Sequence, residues 1–144
     1  MSPAFNRLRV LLQIWMILFL GATVVFLFFG NDLLSKINQL SARLFPSLPL
    51  VAVPQEKFWL TLSLSLMITL VFLCGWAQKD VAKNLAVVPV LLVSKFTSTF
   101  FYFIFFLVHE RTLAYFVGLM TDGAIFLITW IFYGRAQKEI KVRA

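Results

Sequence analysis

The chain has a single cysteine, a single histidine and six acidic residues in 144. With one thiol, Cys74, an internal disulfide, a CxxC redox pair and a multi-cysteine metal site are all excluded. His109 has no histidine, cysteine or carboxylate partners at ligand spacing, so no metal site is expected. A Gly-rich phosphate loop, a serine elbow and a zinc-binding histidine pair are likewise missing, as is a water-facing domain for a soluble substrate. These absences weigh against an enzyme, and no cofactor is expected. Charge is scarce as well, at 13% of residues against 61% hydrophobic and 17% aromatic. That is more apolar surface than a small soluble core can bury, so lipid is the solvent for most of the chain.

About 20 apolar residues carry a helix across the hydrocarbon core, and four segments qualify: about 8–30, 57–77, 85–108 and 113–134. None shows the period-two alternation of a barrel strand. The expected fold is therefore an all-α integral membrane protein, a four-transmembrane-helix bundle forming a single domain over 1–144. The opening stretch "MSPAFNRLRV" places Arg7 and Arg9 before an apolar run too long for a signal peptide, and no clear cleavage site follows. It reads as a retained first span.

All but one of the 13 basic residues sit at the edges of the apolar runs rather than in a patch interleaved with exposed aromatics, so nucleic acid is not an expected partner. Arg7, Arg9, Lys79, Lys83, Arg135, Lys138, Lys141 and Arg143 fall on one side, and Lys36, Arg43, Lys57 and Arg111 on the other. The positive-inside rule then puts both termini in the cytoplasm, with a bacterial inner membrane as the expected location. Trp59, Trp76, Trp130 and Tyr133 stand near span ends as interfacial anchors, while Trp15 lies deeper and reads as packing or lipid-facing.

The long outer connection, 31–56, opens with "NDLLSKINQLSARLF", where Leu33, Ile37, Leu40 and Leu44 share one helical face. An amphipathic helix at the membrane interface is expected, capped by Asn31 or Asp32. Pro46, Pro49 and Pro54 make the return irregular, and Pro54, Gln55 and Glu56 form a favourable entry to the second span. "AQKDVAKN" is a short turn, with Pro89 expected to kink the third span near its start. "HERT" is short enough to make the third and fourth spans antiparallel neighbours, with Thr112 as the N-cap of the fourth.

One carboxylate stands out. Asp122, in "GLMTDGAIF", sits near the middle of the fourth span, where a charge costs roughly 2.5–3.5 kcal/mol on insertion scales. The only other ionisable side chain at comparable depth is Lys95, in "LLVSKFTSTFFYF". Folding the hairpin at Glu110 and Arg111 sets Asp122 level with about Thr99, one turn from Lys95 on the same face. A Lys95–Asp122 contact is expected, direct or through the Ser98 or Thr99 hydroxyl; alternatively, Lys95 snorkels toward the interface and Asp122 stays alone and neutral. Lys95, Ser98 or Thr99, Tyr102 and His109 recur at helical spacing. So do Ala114, Gly118, Asp122, Ile125 and Thr129, and Ala114 with Gly118 forms a small-xxx-small pair for close helix packing. Thr61, Ser65 and Thr69 on the second span offer a third face for the seam.

Three functional classes follow. An accessory, assembly or scaffolding subunit of a membrane complex is the leading expectation, acting by helix packing against another membrane protein or itself, with lipids as further partners. The alternatives are a small proton- or ion-coupled transporter working as a homo-oligomer with Asp122 and Lys95 at the midplane, or a bundle that binds a lipid or hydrophobic ligand. Small multidrug exporters share the helix count but carry their essential glutamate in the first span, where this chain has only Gln13 as an internal polar group; their mechanism does not transfer.

Overall fold

A computed structural model describes residues 3–54 and 57–143. Among them the chain is all-helical: α1 (Pro3–Leu44), α2 (Phe58–Lys79), α3 (Val88–Val108) and α4 (Leu113–Arg143), with a 3₁₀ turn at Leu85–Val87 leading into α3. Four helices are long and apolar enough to cross a membrane. The start of α1, the end of α4 and the 80–87 connection share one end of the bundle, here the terminal end. The long connection and the His109 turn share the other, the loop end.

Two helices are longer than their apolar runs. α1 has 42 residues, roughly 63 Å at the helical rise, twice the hydrocarbon thickness. The sequence pattern suggests a span and a separate amphipathic helix capped at Asn31 or Asp32. Instead the helix continues through both residues, and the break falls at Phe29, whose φ of −128° and ψ of 16° leave the helical region just before Gly30. No cap is needed because the chain bends without terminating. On this extension Leu40 and Leu44 are exposed, while Ser41 is buried. The returning segment lies along α1. Asn38 donates from Nδ2 to the Val51 carbonyl at 2.8 Å and accepts from the Val51 amide at 3.0 Å, holding both backbone groups of an otherwise irregular stretch.

α2 begins at Phe58 after Lys57, later than an entry at Pro54 implies; Gln55 and Glu56 lie outside the described residues. Pro89 falls within the first two positions of α3, where a missing N–H costs nothing, so it starts the helix rather than kinking it. Thr112, almost fully buried, accepts the Tyr115 amide on Oγ1 at 3.4 Å and caps α4 as expected. α4 does not stop at Gly134, the expected end of the fourth span, but continues to Arg143.

α1 packs along α2, and α3 along α4, with α1 against α4 joining the two pairs; α2 meets α3 only sparsely. The buried apolar residues are confined to the terminal half. Phe5, Leu8, Leu12, Trp15 and Phe19 make a stripe on α1 that meets Leu70, Cys74 and Ala77 of α2, Val88 and Leu91 of α3, and Ile125 and Ala136 of α4.

Candidate functional site

The site begins where that core ends. Lys95 reaches it from the end of the second turn of α3 and Asp122 from the third turn of α4, brought level by the short hairpin at 109–112. Lys95 Nζ lies 2.8 Å from Asp122 Oδ1, with the side chains only 12% and 15% exposed. Of the two arrangements open from the sequence, ion pair and snorkelling, the structure has the ion pair. Ser98 Oγ donates to Asp122 Oδ2 at 2.5 Å, so each carboxylate oxygen has a donor. Charge-assisted bonds of this kind offset the cost of holding ions away from water.

α1 supplies a contact with no counterpart in the sequence pattern. Lys95 Nζ lies 4.9 Å from the centroid of the Phe19 ring, a cation–π contact that α1 adds to the ammonium. Two turns further into the packed half, the Trp15 indole N–H donates to Thr129 Oγ1 at 3.0 Å, and Thr129 donates in turn to the Ile125 carbonyl at 2.6 Å. Trp15 is thus 7% exposed and hydrogen-bonded, not lipid-facing. The available signal was physical: a deep indole N–H needs an acceptor, and Thr129 stands on the same face of α4 as Asp122 and Ile125.

The remaining candidates separate. Thr99 does not bridge the charges. Its hydroxyl bonds back to the Lys95 carbonyl at 2.6 Å, and its methyl lies beside Gly123. Tyr102 lies one turn above Ser98, its ring edge against Gly118; a Cβ at Gly118 would stand 2.8 Å from Tyr102 Cζ. Only glycine permits that approach. Ala114 is half-buried one turn further on. His109 caps α3 and is exposed.

Thr61, Ser65 and Thr69 do not join the seam. All three are exposed, and the hydroxyls of Thr61 and Thr69 bond back to the carbonyls of Lys57 and Ser65. α2 turns Leu70, Cys74 and Ala77 toward α1, and at 100° per residue Thr61 falls roughly opposite Leu70. Among the described residues no group of His, Cys, Asp and Glu side chains is placed to hold a metal ion. No family model, curated protein or solved structure matches this chain, so the functional reading rests on the chemistry of the bundle.

Proposed function

We propose that the protein is an accessory or assembly subunit of a membrane complex, working by helix packing, with the outward face of α2 as its contact surface. The observation that carries this is the Thr61, Ser65, Thr69 ladder. Small hydroxylic residues four apart let helices approach closely in lipid and bond across the interface, and this ladder is turned away from its own bundle. Lys95 and Asp122 support the same reading as an interhelical clamp, since the two charges neutralise each other and each carboxylate oxygen has a donor.

The basic residues at the terminal end favour both termini in the cytoplasm under the positive-inside rule, and an inner-membrane location fits that orientation. Exposed aromatic side chains such as Phe28, Phe72 and Trp130 supply the contact area toward lipid or partner.

Native mass spectrometry after mild solubilisation tests the proposal on wild type, Thr61→Leu/Ser65→Leu/Thr69→Leu and Asp122→Asn. A heteromeric assembly with a membrane protein is expected for wild type and lost in the triple variant. A homo-oligomer indifferent to the α2 substitutions would discard the subunit reading. It would favour the second one, a small proton-coupled transporter, for which the specific observation is an ion pair at the border between a packed and an open half-bundle.

A further inference from the structure

Above the ion pair, toward the loop end, the α3–α4 seam carries two hydroxyls that the fold leaves without partners. Tyr102 stands one turn above Ser98 on α3, and its hydroxyl-bearing edge lies on Gly118, one turn above Asp122 on α4. Tyr115 follows, its ring centroid 6.4 Å from that of Tyr102. Among the described residues neither phenol makes a hydrogen bond, whereas Ser98, Thr99, Thr121 and Thr129 all do. Both tyrosines are half-buried and neither hydroxyl is enclosed, since among the described residues the buried side-chain polar atom without a partner is Ser41 Oγ; each phenol oxygen is therefore free to bond water.

Asp122 lies nine residues into α4, about 13 Å from its start at the helical rise. Tyr115 and Tyr102 divide that distance into roughly one-turn steps. On the other side the way is closed: Phe19 covers Lys95, and the buried Leu91, Ile125 and the Trp15–Thr129 bond fill the space below.

We propose that the α3–α4 seam is a one-sided proton path in which the Tyr115 and Tyr102 hydroxyls, bridged by water, carry protons between the His109 end and the Asp122 carboxylate. This goes beyond a packing role and does not depend on the α2 contact surface. In the inward step a hydronium at the His109 end gives up a proton. Each phenol accepts one on its oxygen and releases its own to the next acceptor, and an O–H bond forms on Asp122. The carboxylate becomes a neutral carboxyl, the phenols end unchanged, and Lys95 keeps its ammonium without its counter-ion. The titratable or charged groups beside Asp122 are Lys95 and Tyr102 from α3, with Tyr115 of α4 next to Tyr102. α1 brings the Phe19 ring to Lys95 and the Trp15 ring to Thr129. Cys74 is the one such group that α2 brings toward Lys95, and it is buried in the packed half.

Two measurements on the full chain in lipid nanodiscs test this. After an acid jump, the infrared carboxyl band of Asp122, identified by its absence in Asp122→Asn, should appear in wild type. In Tyr102→Phe it should appear roughly tenfold or more slowly, with the same final amplitude. Thermal stability should not change, because the lost hydroxyl has no protein partner. Equal rates in the two proteins, or no Asp122 band while the fold survives, would overturn the path. In Tyr102→Cys, a charged methanethiosulfonate should modify the new thiol and spare Cys74, the internal control in the packed half. Protection of both thiols would remove the water access on which the path depends.

Discussion

Leu8 and Leu12 in the terminal half of the bundle are 0% and 1% exposed, whereas Leu62, Leu66 and Met120 in the loop half are each more than half exposed. The two halves are built from the same apolar residue types, so composition does not separate them. In lipid a leucine gains little by leaving the hydrocarbon for a protein interior, and what selects the packed region is close fit. Small residues supply it in the terminal half: Gly75 lies beside the Met16 sulfur, and Cys74, Ala77 and Ala136 are almost fully buried. Toward the loop half, Gly118 lies against the Tyr102 ring and Gly123 beside the Thr99 methyl in the α3–α4 seam. The ion pair marks the border, backed by packed side chains, with Tyr102 and Tyr115 above it.

Removing the border charge should have the largest effect. Asp122→Ala strands the Lys95 ammonium against Phe19 and should cost about 3 kcal/mol, the lower end for breaking a buried pair, since both side chains keep some exposure. The double variant Lys95→Met/Asp122→Leu should recover most of that loss. Chemical unfolding in detergent micelles measures both, and a failure of the double variant to recover would mean the pair contributes more than charge balance.

The contrast between halves is tested directly by truncation. Leu12→Ala should destabilise by about 2 kcal/mol through the cavity it leaves, while Leu62→Ala should stay within about 0.5 kcal/mol. Similar losses in the same unfolding assay would erase the distinction. At the seam, Gly118→Ala drives a methyl into the Tyr102 ring and should cost about 1–2 kcal/mol. Pairing it with Tyr102→Leu should relieve the clash, giving a lower cost than the two single changes summed. A small effect is expected for Trp15→Phe, which removes one interhelical hydrogen bond worth about 0.6 kcal/mol. A melting temperature equal to wild type would show Thr129 to be satisfied by its bond to Ile125 alone.

Much of the architecture was legible in the chain because apolar length and charge position are local properties. Four runs long enough to span announce themselves residue by residue, and so does a carboxylate stranded in one of them. The pairing of Asp122 with Lys95 was legible too, since the hairpin at Glu110 and Arg111 is so short that its register can be counted along two helices. The Phe19 and Trp15 contacts were not. Both join α1 to helices about 76 and 114 residues further along the chain, and helical periodicity within α1 says which residues share a face without saying what that face meets.

The sequence by itself determined the apolar helices, the cap at Thr112 and the charge that has to be neutralised, because each follows from the energetics of a short segment in water or lipid. Only the tertiary structure decided that α1 bends at Phe29 and continues, that α2 turns its hydroxyl ladder outward, and that the core fills one half of the bundle. Those outcomes depend on how closely helix surfaces fit one another, and in a medium as apolar as the side chains themselves no hydrophobic pattern along the chain specifies that fit.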